Sequence, residues 1–217
     1  MGSLNFRLCM QLIATYLLLQ HFILVTQLSL QVQADAEPLQ DFCVADPTQP
    51  TSVGYNCKPV AEVTVKDFVF SLDQPIVQAL SPAYPGLNSL GSAISRFDIP
   101  AGGLVNPHTH PRATELFYVK EGTFYAGFVS VAGKLYDTVI KTEDVIILPQ
   151  GLIHFAYNLG NTTATIIVWF NSENPGTYFV APTLFGSGIN ETFLEKVFQI
   201  DAETLKNIEK NFLPKKK

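Results

Sequence analysis

The chain has few basic residues, few cysteines and few histidines, and each shortage narrows what the protein can be. Its 14 lysines and arginines stand against 19 aspartates and glutamates, which gives a formal net charge of -5 at pH 7. The only basic cluster is Lys215–Lys217 at the C-terminus, which we interpret as a solvated tail. A nucleic-acid-binding domain needs a basic patch or stripe, so the composition argues against nucleic acid as a partner.

The first 34 residues almost lack charge and do not fit a globular domain. Arg7 is the only charged residue among them, and an apolar run over residues 8–30 follows it. Small residues at Ala34 and Ala36 suit cleavage, so we predict a signal peptide over residues 1–34 and a secreted protein. The alternative is a transmembrane anchor, since the run is long enough to span. Polar residues interrupt the run and no basic stop-transfer residues follow, so we expect no stable membrane anchor.

Cysteine is scarce, with three residues in the whole chain. Cys9 falls in the predicted signal peptide, which leaves Cys43 and Cys57. Two cysteines of a secreted chain at this spacing predict one disulfide, and closing a loop of this size contributes about 3 kcal/mol. The alternative is a pair of metal-binding thiols, but this needs two further ligands nearby and the segment holds no histidine.

The chain contains two N-glycosylation sequons, which are relevant because we predict that the protein is secreted. Asn161-Thr162-Thr163 and Asn190-Glu191-Thr192 both match N-x-[ST] without a proline in the middle. Asn161 follows a turn-like stretch between two apolar runs, and Asn190 lies at the start of a predicted helix. We predict N-glycosylation at both asparagines.

Long helical periodicity is absent from the middle of the chain. Short apolar or alternating runs follow Asp67 at a spacing of roughly 8–12 residues, and Glu121-Gly122 between two of them predicts a hairpin turn. The runs predict strands over residues 92–99, 115–120, 123–131, 134–141, 145–148 and 163–170. Such a series favours an all-β fold, an antiparallel sandwich or barrel.

The two ends of the mature chain differ from this β-rich middle. Residues 35–65 are polar and proline-rich and contain the predicted disulfide, so we interpret them as an N-terminal extension. Residues 66–180 form the β-domain. Over residues 181–217 the period lengthens, and Asn190 and Asp201 can each cap a short helix with an apolar face. Helices this short need a partner to pack on, either the barrel or a neighbouring subunit.

The four histidines are unevenly distributed. His21 lies in the predicted signal peptide, whereas His108, His110 and His154 all lie at the ends of predicted hairpins. Residues i and i+2 of a strand point to the same face, so His108 and His110 can converge on one ion. Each histidine alone also fits a structural role, as a polar residue of a strand or a hydrogen-bonded barrel residue. Their joint placement favours a metal site.

A carboxylate completes the predicted ligand set. Glu115 lies five residues after His110, so on one continuous strand the two side chains would point to opposite faces. The chain must therefore turn at Pro111-Arg112 to place Glu115 beside His110. The alternative is a surface carboxylate. After the turn at residues 149–151, a second predicted hairpin delivers His154. Three imidazoles and one carboxylate leave two positions of an octahedral metal open, which suits catalysis better than a closed structural site.

The spacing of these residues is that of a known family. The pattern G-x5-H-x-H-x4-E-x6-G over residues 102–122, followed by P-x-G-x2-H-x3-N over residues 149–158, resembles the two sequence boxes of germins and germin-like proteins, in the cupin superfamily. The resemblance covers nearly the whole mature chain, from L-Q-D-F-C-V-A-D at residues 39–46 to N-P-G at residues 174–176.

This resemblance implies a fold, a metal and an assembly. The fold is a cupin jelly-roll β-barrel over residues 66–180, with C-terminal helices over residues 181–217 that clasp a partner subunit. The family's metal is manganese, held by the residues that match His108, His110, Glu115 and His154. Sequence physics alone would not select manganese, the weakest binder of the divalent first-row series. The family further implies a glycoprotein of the plant apoplast, associated with the cell wall and assembled as a hexamer, a trimer of dimers.

Two departures from the family pattern bear on function. Glu143 stands where the second box usually opens with glycine, and positive φ there would cost about 1 kcal/mol. Oxalate-oxidising germins place one asparagine three residues before the first ligand histidine and another in the preceding loop. Here Asn88 matches the second, but the first is Val105, with Asn106 displaced by one. A shift of one residue on a strand turns the side chain to the other face.

The expected activity is therefore dismutation of superoxide to hydrogen peroxide, in a role in plant defence. Oxalate oxidase is the less expected alternative, with Asn88 and Asn106 as substrate contacts. A further alternative is a non-enzymatic cell-wall or receptor-like glycoprotein, in which the metal mainly holds the barrel together.

Overall fold

The structure is a computed structural model that describes Tyr16, Gln20 and residues 41–51, 54–81 and 83–212. The chain divides into two units, Met1–Asp41 and Phe42–Lys217. The predicted signal peptide, apart from a hydrogen bond from Gln20 Nε2 to Tyr16 Oη at 2.8 Å, and the C-terminal lysines lie outside the described residues. Among the residues that are described, no helix is long and apolar enough to span a membrane.

A small disulfide-bonded hairpin opens the second unit. Strands β1 (Ala45–Thr51) and β2 (Gly54–Cys57) pair antiparallel. The predicted bond between Cys43 and Cys57 is present, with the two Cα atoms 4.9 Å apart. The disulfide and the two-strand ladder thus link the two ends of this short segment.

Ten further strands build the main body. Short 3-10 helices at Val60–Glu62, Val65–Phe68 and Pro85–Leu87 fill the connections before and after the first of them. The strands are β3 (Ile76–Ala79), β4 (Ala93–Ile99), β5 (Leu104–Thr109), β6 (Glu115–Glu121), β7 (Thr123–Val129), β8 (Leu135–Lys141), β9 (Val145–Leu148), β10 (Ile153–Asn158), β11 (Ala164–Phe170) and β12 (Tyr178–Phe179).

These strands form two antiparallel sheets, in the orders β12-β5-β10-β7-β8 and β3-β4-β11-β6-β9. Alternate residues of the strands point into one core, to which both sheets contribute. Its largest fully buried side chains include Phe124 of β7 in one sheet and Ile166 of β11 in the other. The predicted all-β architecture is confirmed.

Most connections cross from one sheet to the other, which corrects the predicted hairpins. Strands β6 and β7, on either side of Glu121-Gly122, lie in different sheets and do not pair. Gly122 has φ 108°, and a Cβ on it would lie 2.3 Å from Ala164 Cβ, so the residue forms a tight corner. The connection from β9 to β10, which leads to His154, crosses in the same way. Inward-facing and outward-facing side chains alternate with the same period whether two strands are joined by a hairpin or by a corner between sheets. The sequence pattern therefore does not distinguish a corner from a hairpin.

Three helices close the described chain, namely α1 (Val180–Gly186), α2 (Glu191–Phe198) and α3 (Ala202–Glu209). The two predicted caps are confirmed, because Asn190 Oδ1 accepts from Phe193 N at 3.0 Å and Asp201 Oδ1 accepts from Thr204 N at 2.7 Å. Helix α1 had no sequence signal of this kind, and no side-chain hydrogen bond caps it.

Candidate metal centre

The four predicted ligands come from both sheets and meet inside the barrel. His108 of β5 and His154 of β10 are antiparallel partners in one sheet. His110 follows the end of β5, and Glu115 begins β6 in the other sheet. The turn at Pro111-Arg112 changes sheets between them, as the parity of Glu115 requires. The ligand atoms all lie within 4.8 Å of one another.

All four side chains are buried. Between 2% and 6% of each remains exposed, with His154 the most enclosed and His108 the least. Charged or polar groups are buried at this level only when they are hydrogen-bonded, paired or bound to a metal. The partners of the imidazole rings therefore decide what the cluster can do.

Each imidazole directs its Nδ1 to a backbone carbonyl oxygen. The distances are 2.8 Å for His108 and 2.9 Å for His154, and His110 makes the same kind of contact. Because a carbonyl oxygen only accepts, each neutral ring carries its proton on Nδ1 and leaves Nε2 bare. The accepting carbonyl is that of Asn106 for His108, that of Leu152 for His154 and that of Gly176 for His110.

The bare nitrogens then converge on one another and on Glu115. The Nε2 atoms of His108 and His154 lie 3.1 Å apart. Glu115 Oε2 lies 3.0 Å from His110 Nε2 and 3.4 Å from His154 Nε2, yet it is buried without a hydrogen bond. Lone pairs at such distances repel unless a proton or a cation lies between them. A set of four acceptors that share one centre fits a divalent metal ion, with each Nδ1–H bond orienting its ligand.

The titration behaviour of the metal-free cluster suits the same purpose. Burial, together with the neighbouring His154 ring, lowers the pKa of His108 from 6.5 to about 4. Burial raises the pKa of Glu115, but its close contacts with the His110 and His154 rings outweigh burial and lower the pKa to about 2. At neutral pH His108 is neutral and Glu115 is ionised, which are the forms that bind metals.

Arg112 anchors the loop that orients His110. Its Nε donates to Asn174 O at 2.7 Å and its Nη2 donates to Asn174 Oδ1 at 2.8 Å, while its backbone N–H donates to Pro175 O at 3.1 Å. The next residue is Gly176, whose carbonyl accepts from His110 Nδ1. Gly176 has φ 67°, and a Cβ on it would lie 2.8 Å from Arg112 Nη2. Sequence reasoning identified Pro111-Arg112 as a turn but missed this role, because the partner loop is distant in sequence.

A cavity of about 510 Å³ adjoins the cluster, and His108, His110 and Glu115 form part of its wall. The rest of its lining is mainly apolar. No lysine or arginine is among the residues that line it. Sequence reasoning did not predict this cavity, because inward-facing side chains of a barrel fill the core or line a cavity with the same alternation. Its larger apolar side chains are Phe97, Ile99, Leu104, Phe117, Ile166, Phe170 and Phe179.

The two predicted substrate contacts are placed differently. Asn106 and Val105 both line the cavity. Asn88 is 7% exposed, and its Nδ2 lies 3.2 Å from Cys43 Sγ and 3.3 Å from Tyr55 O. The side chain of Asn88 thus packs on the disulfide hairpin. It is not among the residues that line the cavity. The predicted glycosylation residues Asn161 and Asn190 are both exposed.

Comparison with known proteins gives the same class as the fold and the cluster. Residues 75–206 match the Cupin family. Germin-like protein 3-7 of Oryza sativa subsp. japonica is 44% identical over 198 residues, which cover 82% of this chain and 84% of that protein. The chain belongs to the germin-like proteins.

Two solved structures resemble it closely. One is an oxalate oxidase, with a TM-score of 0.76 and 35% identity, over 81% of this chain and 96% of that one. The other is Peruvianin-I, described as a cysteine peptidase from Thevetia peruviana latex, with a TM-score of 0.63 and 37% identity, over 68% of this chain and 98% of that one. The predicted cupin fold is therefore confirmed.

Proposed function

We propose that this chain is a secreted germin-like glycoprotein of the plant apoplast that binds manganese and dismutates superoxide. The observation that supports this most is the buried cluster of four metal-ligating acceptors beside an accessible cavity. The three Nε2 atoms of His108, His110 and His154 and the carboxylate of Glu115 would hold the ion. Four protein ligands leave room for a small molecule on an octahedral metal.

Bound manganese would supply the one-electron oxidation and reduction by which two superoxide ions and two protons give one dioxygen and one hydrogen peroxide. The chain's own part is to hold the ligands in place and to admit the anion. The Nδ1–H bonds fix the three rings, so the ligand atoms need not reorganise. The single carboxylate of Glu115 leaves a divalent ion with net positive charge, which attracts an anionic substrate.

The direct test is superoxide consumption by purified, manganese-loaded protein. We expect activity above that of free manganese at the same concentration, and loss of that activity in His108→Ala. Metal analysis of both proteins belongs to the same experiment, because free manganese also reacts with superoxide. Equal activity in the two proteins, when metal contents are known, would rule out this function.

Oxalate oxidation is the second candidate, favoured by the similarity to a solved oxalate oxidase. Of the residues that line the cavity, Asn106 and Gln78 carry a side-chain amide. Val105 stands where the oxidising germins carry asparagine, and no basic side chain lines the cavity to hold a dianion. Peroxide formation from oxalate that is lost in Asn106→Ala would establish this reaction. No turnover with either substrate, together with a lower melting temperature on chelation, would indicate a structural metal.

We do not extend to this chain the cysteine peptidase activity that is named for Peruvianin-I. A cysteine peptidase needs a free thiolate as its nucleophile. The two cysteines of the described chain, Cys43 and Cys57, are bonded to each other. We therefore expect no thiol-dependent proteolysis by the secreted protein.

Secretion and glycosylation form part of the same proposal, with a role in defence through peroxide at the cell wall. Exposure of Asn161 and Asn190 supports modification of both sequons. Asn190 caps α2 through Oδ1, which leaves its Nδ2 available for a glycan. Mobility shifts after glycosidase treatment of the wild type, Asn161→Gln and Asn190→Gln would identify the occupied positions.

We also place the chain in a homo-hexamer, a trimer of dimers. Helix α2 supports this, because Phe193 is 58%, Val197 54% and Phe198 40% exposed in one chain. An apolar surface of this kind favours burial against another subunit. Light scattering should give the mass of a hexamer, and Phe193→Glu should reduce it.

A further inference from the structure

The cavity is much larger than superoxide requires. Its volume is about 510 Å³, whereas one water molecule takes up about 30 Å³ in the liquid. Cavities that bind organic ligands measure about 300–1,000 Å³. Superoxide has two atoms and oxalate has six heavy atoms, so both would leave most of this space empty or filled with water.

The wall of the cavity is suited to an apolar ligand. Rings of Phe97, Phe117, Phe170 and Phe179 line it, and the polar side chains outside the ligand cluster are few. An apolar group that enters this mainly apolar cavity gains contacts with the wall and displaces water that apolar side chains hold weakly.

Aromatic rings also flank the cluster itself. The ring centroid of Phe179 lies 5.4 Å from that of His108, and the centroid of Phe170 lies 4.7 Å from that of His110. A ligand that reached the cluster with a polar head would therefore have its neighbouring atoms among these rings. The cavity thus offers one polar end and an apolar body.

The charges select the kind of head group. A divalent ion held by the single carboxylate of Glu115 keeps one uncompensated positive charge. One carboxylate of a ligand neutralises it, whereas a second negative charge would be buried where no lysine or arginine lines the wall.

We propose that the cavity binds a monocarboxylate with an apolar body about the size of one ring. Its carboxylate faces the side of the cluster where His108, His110 and Glu115 form the cavity wall, and its body lies among the phenylalanine rings. The inference rests on the proposed function in one respect, since the metal must be bound. Such a ligand competes with superoxide for the open position.

Calorimetric titration of the manganese-loaded protein with four probes tests this. Benzoate carries both features, acetate lacks the ring, benzamide lacks the charge, and oxalate replaces the ring by a second charge. We expect benzoate to bind at least about tenfold more tightly than each of the other three. Benzoate binding should also require the metal and should inhibit superoxide consumption competitively.

A pair of variants in β12 locates the binding site. Phe179→Ala removes a ring from the cavity wall, and Tyr178→Ala removes one from the neighbouring residue, which does not line the cavity. Both side chains are similarly exposed, at 42% and 44%. We expect Phe179→Ala to weaken benzoate binding by at least about fivefold and leave acetate unchanged, because only the ring loses its contact. Tyr178→Ala should bind both probes as the wild type does.

Three outcomes would overturn the inference and leave the proposed function standing. Two of them concern a protein that is manganese-loaded and active on superoxide, namely equal affinity for acetate and benzoate, and tighter binding of oxalate than of benzoate. Benzoate binding that is equally tight without metal would also overturn it, since the carboxylate would then lie elsewhere. A protein that retains no manganese would overturn the proposed function as well, and metal analysis distinguishes that case.

Discussion

His108 and His154 are antiparallel partners across β5 and β10, and their Nε2 atoms lie 3.1 Å apart. Both rings direct Nδ1 to backbone carbonyls, so in the neutral state neither nitrogen has a proton to offer the other. The metal-free site therefore holds two lone pairs against each other in a buried place. A cation held between the two nitrogens would remove this repulsion, and several consequences can be measured.

Glu115→Gln should separate metal binding from the stability of the metal-free protein. Manganese at about 100 times its Kd should stabilise the wild type by about 2.7 kcal/mol. The variant should lose this gain, because a neutral amide is a poor ligand. In the wild type, His110 Nε2 lies 3.0 Å from Glu115 Oε2. The glutamine amide can donate a hydrogen bond to this nitrogen, so the metal-free variant should be at least as stable as the metal-free wild type. Urea unfolding with and without manganese measures both effects, and an intact manganese response in the variant would contradict the assignment.

Acid should destabilise the metal-free protein through His108. Its pKa is about 4 in the folded state, below the ordinary 6.5, so the unfolded chain binds the proton more readily. The contribution of His108 to the free energy of unfolding is fully present above pH 6.5. It falls as the pH drops towards 4, by about 3 kcal/mol in total. Glu115, with a pKa of about 2, keeps its charge over this range. Urea unfolding at a series of pH values measures the slope, and His108→Gln should flatten it.

Arg112→Lys should weaken the metal site while the charge is kept. Lysine cannot reproduce the two bonds from Nε and Nη2 to Asn174. The loop that presents the Gly176 carbonyl to His110 would then be less well held, and loss of such an orienting group typically costs about 10–100-fold in metal affinity. Manganese affinity and the electron paramagnetic resonance spectrum of the bound ion report this. Lys66→Arg, a swap of the same two residue types away from the cluster, is the control.

Glu143→Gly should stabilise the fold. Glu143 has φ 76°, which confirms the strain expected where the family usually has glycine. Glycine should recover about 1 kcal/mol, less a small amount for the exposed hydrogen bond from Tyr118 Oη at 2.9 Å. Gly133→Ala is the converse control, since Gly133 has φ 74° and a Cβ on it would meet no atom within 4 Å. Thermal or urea unfolding should show the two substitutions moving stability in opposite directions.

The metal cluster could be inferred from the sequence because its residues are rare and their spacing is specific. Three histidines outside the predicted signal peptide and one carboxylate, in the order of two family boxes, converge as expected. The disulfide followed from having two cysteines in a predicted secreted chain, and the caps at Asn190 and Asp201 followed from local hydrogen-bonding chemistry. These features depend on residue type and short spacing, which a sequence carries directly.

Tertiary structure alone decided the rest. Which sheet each strand joins could not be inferred, so Gly122 was expected in a hairpin and lies at a corner between sheets. The partner of His110 Nδ1 is Gly176, a contact across 66 positions. Asn88 packs on the disulfide hairpin and not on the cavity. Alternation states only that a side chain points inwards, and what it meets there depends on how distant segments pack. The sequence by itself thus determined the four residues of the candidate metal cluster and the family, and the packing of two sheets decided the cavity beside the cluster.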